Sequence, residues 1–326
     1  MTNAGAEIKF IDLCCGIGGF RLAAAAVFAK HGVAPKCVFS CDSDPYAQLA
    51  YQANFGEKPF GDIARIDARA IPDHDLLFAG FPCQPFSIIG NGRGFDDARG
   101  TLFFEIARIL ETKKPKAFVL ENVKRLVGHN KGRTLRRILE TLKGLGYYVD
   151  YKVLNALDFG LPQKRERVFF VGSREPMVFP WPQGTQNRLS LADVLEKDVD
   201  EKFYASAKIR EKRRRLHKPE NTPSIWHENK SGNVSSYPYS CALRAGASYN
   251  YLLVNGERRL TPREMLRLQG FPDSFKLACP DGQTRKQAGN AAPVNVVAGI
   301  LEQFAPVLLK EEETPAGPNP ALRRAG

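Results

Sequence analysis

The sequence lacks the cysteine and histidine patterns of disulfide-rich and zinc-binding proteins. Its seven cysteines include no Cys-x-x-Cys pair, and its five histidines have no zinc spacing. We therefore expect neither a disulfide framework nor a bound metal. Residues 1–9 hold no apolar core of signal-peptide length, and we expect no membrane span. No internal repeat is evident. These absences favour a protein of the reducing cytoplasm.

The charge balance is strongly basic, although other aspects of the composition are ordinary for a globular protein. There are 47 Lys and Arg against 35 Asp and Glu, a net charge of +12. A surplus of this size indicates a polyanionic partner, because Lys and Arg neutralise phosphates and release counterions. The alternative is a basic protein without such a partner. The length of 326 residues allows one large core and a smaller domain.

A glycine turn between a predicted strand and a predicted helix lies near the N-terminus. Residues 9–14 read as a buried strand, Gly16, Gly18 and Gly19 follow, and residues 20–28 have helical composition. This arrangement is typical of nucleotide binding, since glycines let the backbone approach a ligand at a helix N-terminus. The third glycine of the dinucleotide fingerprint is missing, so a pyrophosphate is not specifically indicated.

Two acidic residues follow the next predicted strands. Asp42 ends the strand 37–41, about 20 residues beyond the glycines, where a carboxylate can accept hydrogen bonds from ribose hydroxyls. Alternatively it caps the helix 45–54, although Ser43 or Asp44 fits that role better. Asp62 ends another short strand. The three strand ends together predict a nucleoside-sized pocket.

A cysteine directly follows the apolar strand predicted over residues 75–80. Pro82 ends that strand, and Cys83 stands at the root of a long polar loop, at the sheet edge where open α/β folds keep their chemistry. A cysteine is also commonly a small buried hydrophobic residue. Both interpretations of Cys83 remain open from this stretch alone.

Charged groups follow two further apolar segments. Glu121 ends the predicted strand 116–120, where partial desolvation would raise its pKa and suit it to proton donation. An ion pair with Lys124 is the alternative. Arg165 and Arg167 alternate with Glu166 in an extended segment, so both guanidiniums can face one way. Such a pair suits a phosphate or a carboxylate, but it can equally be a solvated face.

Five segments in this order resemble the motifs of DNA (cytosine-5)-methyltransferases, in the compact bacterial form that accompanies restriction systems. They are residues 10–20, 80–87, 121–123, 163–168 and 287–291. The resemblance covers about residues 8–174 and 257–305. It implies an α/β, Rossmann-like S-adenosylmethionine-dependent methyltransferase domain. A smaller, mostly irregular or β target-recognition domain would accompany it.

The resemblance also implies catalytic roles. Cys83 would add to carbon 6 of a flipped-out cytosine, which makes carbon 5 nucleophilic enough to accept the methyl group. Glu121 would hold ring nitrogen 3 and supply its proton. Arg165 would hold the base from its other side, with Arg167 supporting it or a phosphate. The sequence around these residues singles out no base for removing the carbon 5 proton, and a water could serve.

Further residues are implied for S-adenosylmethionine and for DNA. The expected cofactor residues are Asp12, Gly16, Gly18, Gly19, Asp42, Asp62, Ile63, Pro82 and Asn290. At two positions where compact relatives often carry aromatics, this chain has Cys14 and Ser43, so a weaker stacking contribution is expected. The expected DNA contacts are Gln84, Ser87, Arg93 and Arg99 in the loop 84–100, and Arg244.

The predicted domain limits follow the change in composition. Residues 1–174 form the first part of the catalytic domain, and 175–257 form the target-recognition region. Residues 258–310 complete the small domain and return a helix, predicted over 295–309, to the large domain. Residues 311–326 are expected to be disordered. Within 175–257, a basic run over 208–218 and several tyrosines suit groove reading, although a plain connecting subdomain has the same position.

The predicted partners are double-stranded DNA and a cognate restriction endonuclease, which is a genetic partner, and we expect a cytoplasmic monomer. Three alternatives remain open. An RNA cytosine-5 methyltransferase of the same fold shares the chemistry. A catalytically silent DNA-binding relative would be expected to lack Cys83, Glu121 or Arg165. A cysteine hydrolase is disfavoured because no histidine lies in a motif near a strand end.

Overall fold

The computed structural model describes residues 6–81 and 102–309. In this part the strands, in chain order, are β1 Glu7–Leu13, β2 Ala34–Cys41, β3 Leu76–Gly80, β4 Ala117–Val123, β5 Tyr148–Asn155, β6 Gln163–Lys164, β7 Glu166–Ser173, β8 Ile225–Glu228, β9 Val234–Tyr237, β10 Ser240–Cys241 and β11 Leu252–Val254. The helices are α1 Gly19–Lys30, α2 Pro45–Phe55, α3 Leu102–Lys113, α4 Arg125–Gly128, α5 Arg133–Gly144, α6 Leu191–Val194, α7 Ala207–Leu216, α8 Pro262–Arg267, α9 Asp281–Asn290 and α10 Val294–Leu308.

The large sheet has six strands in the order β2-β1-β3-β4-β7-β5. Strands β1 to β4 pair in parallel, whereas β7 runs antiparallel to both β4 and β5. The reversal of β7 matters for the site. The amino end of β7 lies at the same edge of the sheet as the carboxyl ends of the parallel strands β1 to β4.

The core lies on both faces of this sheet. Alternate residues of each strand point to opposite faces, so Phe78 packs in the same apolar cluster as α1 and α10, while Leu77 packs in the cluster that contains α3 and α5. Near-continuous apolar strands suit this position, because they are covered by helices on both sides. The predicted Rossmann-like α/β fold is confirmed.

The C-terminal helix α10 packs against α1, and its bounds agree with the prediction within about one residue. By length and composition alone, Asp281–Leu308 could cross a membrane, since it has 28 residues and contains an 18-residue window with a mean hydropathy of 1.4. This corrects the expectation that no segment approaches that threshold. However, half of its apolar window is buried inside the protein. Ala291 to Pro293 also divide the segment into α9 and α10, which makes α10 a core helix.

The region after β7 is built from short strands and turns, as predicted. One small sheet has the order β11-β8-β9, and β10 pairs in parallel with β6. The basic run forms α7, whose cations bind acidic residues of the same region. Arg213 is buried and pairs with Glu228, and Arg214 pairs with Glu257. Much of this charge therefore stabilises the small domain, and the basic run gives less support for groove reading than expected.

Candidate active site and cofactor cavity

A cavity of about 360 Å³ lies at the sheet edge where β1, β2, β3 and β4 end and β7 begins. The predicted residues that line it are Gly16, Asp42, Asp62, Ile63, Glu121, Arg165, Arg167 and Asn290. Residues separated by more than 200 positions meet here because the strand ends converge. The structure therefore brings together most of the described residues that the sequence nominated.

Glu121 and Arg167 form the charged pair of this cavity. Arg167 Nε lies 3.0 Å from Glu121 Oε1, and the side chains are only 13% and 10% exposed. In the strand register Arg167 pairs with Val123, two residues beyond Glu121, which brings the two side chains to one face. Lys124, the partner considered from sequence, instead pairs with Glu166 on the surface.

Burial raises the pKa of Glu121, although Arg167 and Arg165 act in the opposite direction. A carboxyl group with a raised pKa keeps its proton to higher pH and can donate it to a substrate. In the described part of the chain, Glu121 Oε1, Arg167 Nε and Arg165 Nε have no hydrogen bond of acceptable geometry. Buried polar atoms are normally satisfied, so this group fits a ligand that carries its own donors and acceptors.

Arg165 is held by backbone carbonyls of distant segments. Its Nη1 donates to the Leu243 carbonyl at 3.1 Å, and its Nη2 donates to the Gly289 and Ala291 carbonyls at 3.0 and 2.8 Å. Burial and the neighbouring Arg167 lower its pKa to about 9. These bonds commit the outer guanidinium nitrogens of Arg165 to joining parts of the fold. Arg167 pairs with Glu121 and is therefore better placed than Arg165 to hold a base, and the roles of the two arginines stay predictions.

Asn122 is a residue whose role the sequence reasoning missed. It is 1% exposed, and its Nδ2 donates to the Phe81 carbonyl at 2.8 Å. That bond ties the end of β4 to the residue that follows β3, two positions before Cys83. A polar residue inside an otherwise apolar strand end was the signal that could have identified it.

Asp42 is positioned by backbone donors on the cofactor side of the cavity. Its Oδ2 accepts from Gly16 N and its Oδ1 accepts from Asp44 N, both at 2.8 Å. Burial raises its pKa, whereas these hydrogen bonds lower it. Asp44 caps α2 by accepting from Tyr46 N, as the sequence indicated. Asp42 is therefore not the cap, and each of its oxygens keeps a second lone pair that could accept from a ribose hydroxyl.

Gly16, Asp62, Ile63 and Asn290 lie around the same cavity. Gly16 has a φ of +54°, and an ideal Cβ there would meet nothing within 4 Å, so its backbone faces open space. Asp62 Oδ1 accepts from Ala64 N, which leaves its other oxygen without a bond to that turn. Ile63 is buried and supplies an apolar surface. A polar rim with an apolar floor fits an adenosine group.

Three residues predicted to contact the cofactor do not line the cavity in the described part of the chain. Asp12 is fully buried, and burial raises its pKa well above the usual value. A Cβ on Gly18 would lie 2.3 Å from Phe55, and one on Gly19 would lie 2.6 Å from the Ala292 carbonyl. These two glycines permit close helix packing. Contact between these three residues and the cofactor therefore stays a prediction from the sequence.

Two residues of α9 also belong to the cavity, although sequence reasoning gave them no role. Lys286 Nζ lies 2.7 Å from Asp44 Oδ2, and Gln287 Nε2 donates to the Tyr46 carbonyl at 2.9 Å. They join α9 to the start of α2. The two residues that depart from the compact relatives, Cys14 and Ser43, line the cavity as well.

Several predicted site residues lie outside the described residues. They are Pro82, Cys83, Gln84, Ser87, Arg93 and Arg99, together with the segment 311–326. Arg244, the remaining predicted DNA contact, is exposed and its guanidinium lies 4.7 Å from the centre of the Tyr251 ring. Its place at the surface of the small domain agrees with the predicted contact but does not test it.

The model of the C-5 cytosine-specific DNA methylases matches residues 8–305. The Type II methyltransferase M.NgoBI of Neisseria gonorrhoeae is 60% identical over 292 residues, which cover 89% of this chain and 90% of that protein. M.HaeII of Haemophilus aegyptius is 55% identical over 297 residues, covering 90% and 92%. The chain belongs to the C-5 cytosine-specific DNA methylases.

This family assignment confirms the resemblance found in the sequence. The enzyme is a DNA cytosine-5 methyltransferase of the Type II restriction-modification kind. The family and fold imply S-adenosylmethionine as the cofactor and DNA as the substrate. The Entamoeba histolytica methyltransferase EhMeth has a TM-score of 0.72 over 93% of this chain and 99% of its own, at 18% identity. That likeness supports the fold alone.

Proposed function

We propose that the enzyme methylates carbon 5 of a cytosine within one short sequence of double-stranded DNA, through covalent addition of Cys83 to carbon 6. The observation that carries this proposal is the buried Glu121–Arg167 pair, whose atoms lie 3.0 Å apart in the lining of a cavity of about 360 Å³. A carboxyl and a guanidinium on one side of a cavity match the ring nitrogen 3 and carbonyl oxygen 2 of cytosine.

Glu121 acts as the proton donor in this scheme. As the Cys83 thiolate forms a bond to carbon 6, the electrons of the 5,6 double bond move to carbon 5, and a proton from Glu121 to nitrogen 3 offsets the developing negative charge. The raised pKa of Glu121 keeps that proton available at higher pH than an exposed carboxyl would. After methyl transfer a water accepts the carbon 5 proton, the electrons of that C–H bond restore the 5,6 double bond, the thiolate leaves carbon 6, and the nitrogen 3 proton returns to Glu121.

Arg167 holds the base and fixes Glu121. Its Nε lies against Glu121 Oε1, and its Nη1 donates to the Glu166 carbonyl at 2.9 Å. A guanidinium held in this way can donate to oxygen 2 of the ring with little reorganisation. Arg165 acts behind it as a positioning residue, because its outer nitrogens bind three backbone carbonyls.

The polar residues around Gly16 fit S-adenosylmethionine, whose sulfonium supplies the electrophilic methyl group. Asp42 would accept from the ribose hydroxyls, and Asp62 with Ile63 would contact the adenine. The Gly16 backbone faces open space where a ligand can approach. Asn290 lines the same cavity. Pro82 stays a predicted contact from its motif. With Cys14 and Ser43 in place of aromatics, hydrogen bonds would carry more of the affinity than stacking.

The substrate base must leave the duplex to reach this edge of the sheet. Gln84, Ser87, Arg93 and Arg99 are proposed to contact the DNA around the vacated position, and Arg244 is proposed to contact it from the small domain. The net charge of +12 supports a phosphate-binding surface. We further propose that the enzyme acts as a cytoplasmic monomer and protects host DNA from a cognate endonuclease.

The test is transfer of radiolabelled methyl groups from S-adenosylmethionine to duplex DNA, with RNA as the comparison substrate and bisulfite sequencing of the product. We expect methylcytosine in one recurrent short DNA context. Cys83→Ala should abolish transfer while leaving DNA binding intact. Label on RNA alone would favour the RNA alternative, and turnover by Cys83→Ala would refute the covalent step.

A further inference from the structure

The segment 244–250 connects β10 to β11 in the small domain, and we call it the tyrosine loop because it contains Tyr249. Its first anchor is Leu243. The Leu243 amide donates to Gln163 Oε1 at 3.0 Å, and its carbonyl accepts from Arg165 Nη1 at 3.1 Å. Both partners belong to the segment that leads from β6 into β7. The root of the loop is therefore fixed to the catalytic domain.

A second cavity, of about 240 Å³, lies beside the tyrosine loop. Arg244 and Tyr249 of the loop line it, as do Phe203 and Met265 from neighbouring segments. Protein interiors are normally close-packed, so side chains bordering a space of this size lack part of their packing support. The loop is held by other contacts as well, among them the hydrogen bond from the Arg244 amide to the Tyr251 hydroxyl at 3.0 Å.

Arg285 contacts both the backbone and a side chain of the tyrosine loop. Its Nη2 donates to the Ala247 carbonyl and, at 2.9 Å, to the Ser248 carbonyl. Its guanidinium also lies 4.5 Å from the centre of the Tyr249 ring, within the range of a cation–π interaction. One side chain thus holds the backbone of the loop at two adjacent residues and holds its exposed aromatic side chain as well.

Arg285 belongs to helix α9, which is bound to the catalytic domain. The next two residues of α9, Lys286 and Gln287, bind Asp44 and the Tyr46 carbonyl at the start of α2. These contacts lie beside the cofactor cavity. Because α9 is fixed to the catalytic domain there, the position of the Arg285 guanidinium is set relative to the same edge of the sheet that carries Glu121.

We propose that Arg285 is a positioning residue that holds the tyrosine loop in the shape with which the enzyme distinguishes its DNA sequence from related ones. This inference rests on the proposed function, in which Arg244 of the same loop contacts DNA. Without Arg285 the loop can relax toward the neighbouring cavity. Base contacts need fixed geometry, so relaxation lowers discrimination between sequences more than it lowers the chemical rate.

The test compares Arg285→Met and Arg285→Lys with the unmodified enzyme. Methionine removes the hydrogen bonds and the charge, whereas lysine keeps the charge and can still donate to the carbonyls. Lys202→Gln is the control, since Lys202 borders the same cavity and pairs with Asp281 without a hydrogen bond to the loop carbonyls. It removes one positive charge, as Arg285→Met does.

Three quantities are measured once the methylated sequence is known. They are kcat and KM on the cognate duplex, the ratio of kcat/KM between cognate and single-mismatch duplexes, and hydrogen exchange of residues 244–250. For Arg285→Met we expect about a tenfold loss of discrimination, faster exchange in the loop, a raised KM and a kcat within about threefold. Arg285→Lys should recover part of the discrimination, and Lys202→Gln should retain it.

Unchanged discrimination and unchanged loop exchange in Arg285→Met would overturn the inference while leaving the proposed function intact. An equal loss of discrimination in Lys202→Gln would also overturn it, because charge alone would then explain the effect. If the unmodified enzyme methylates no duplex DNA, the proposed function itself fails. Binding of S-adenosylmethionine, measured by calorimetry, should stay the same in all variants and verifies that they are folded.

Discussion

Arg167 Nε lies 3.0 Å from Glu121 Oε1, and this pair is nearly shielded from solvent at the edge of the large sheet. The two residues belong to strands that run in opposite directions, β4 and β7. Because β7 is reversed, a residue at its start meets a residue at the end of β4. The pair is the part of the site in which a carboxyl group and a guanidinium are close enough to act on one ring.

Glu121→Gln should lower kcat by about 10²- to 10⁴-fold, the range typical of a lost general acid. The amide can still bond nitrogen 3 but cannot supply a proton. Steady-state methyl transfer to duplex DNA measures the change. Glu166→Gln is the matched control, because Glu166 is nearby, is 36% exposed and pairs with Lys124 at the surface. An equal loss in both variants would contradict the assignment.

The raised pKa of Glu121 predicts a pH dependence of stability. At pH values between the unfolded pKa, near 4.5, and the raised folded pKa, the unfolded chain is ionised while the folded protein holds its proton. The folded state then binds more protons, so its stability falls as pH rises through this window. Urea unfolding at several pH values should show Glu121→Gln becoming progressively more stable relative to the unmodified enzyme. A constant difference would contradict the raised pKa.

The different contacts of the two arginines predict different defects in the Arg165 and Arg167 variants. Arg165→Met should lower the free energy of unfolding by about 3 kcal/mol, because three buried carbonyls lose their donor. Arg167→Met should instead lower kcat by about 10²- to 10³-fold with a smaller loss of stability. Urea unfolding and methyl-transfer kinetics on both variants separate the effects. If the defects are exchanged, Arg165 is the residue that holds the base.

Asp42→Ala should weaken S-adenosylmethionine binding by about tenfold or more, since a carboxylate bonded to hydroxyl donors contributes about 1.5 to 3 kcal/mol. Asp12→Asn is the contrasting variant. Asp12 also lies near the carboxyl end of a strand, β1, but it does not line the cavity in the described part of the chain. Its replacement should therefore leave the affinity for S-adenosylmethionine unchanged. Calorimetric titration measures both. A large loss of affinity in Asp12→Asn would instead support the predicted contact between Asp12 and S-adenosylmethionine.

Substitutions of Gly16 and Gly19, in the turn after β1, should have different effects on stability and on cofactor binding. Gly19→Ala should destabilise the fold by about 1 to 3 kcal/mol, because its Cβ would lie 2.6 Å from the Ala292 carbonyl. Gly16→Ala meets no atom within 4 Å and carries only the strain of a φ of +54°. It should mainly weaken cofactor binding. Thermal unfolding with and without S-adenosylmethionine distinguishes packing from ligand contact. Equal ligand-induced stabilisation in both variants would contradict this division.

The sequence by itself determined several strands and helices of the large domain, such as β3 and α10, and the order of the motifs. Apolar strands such as β3 are defined by short stretches of residues, and helix starts follow local chemistry. The capping box of Thr261 and Glu264 with Pro262 is such a local signal, and the structure shows this cap at the start of α8. The convergence of Asp42 and Glu121 at one edge also followed, since parallel strands place their ends together.

Only the tertiary structure decided what each nominated side chain contacts. Alternation along a strand places Arg165 and Arg167 on one face but does not specify their depth or partners. Arg165 binds the carbonyls of Gly289 and Ala291, more than 120 residues away in the chain. Gly19 likewise meets Ala292. Such contacts depend on how distant segments pack, and a local pattern carries no information about that packing.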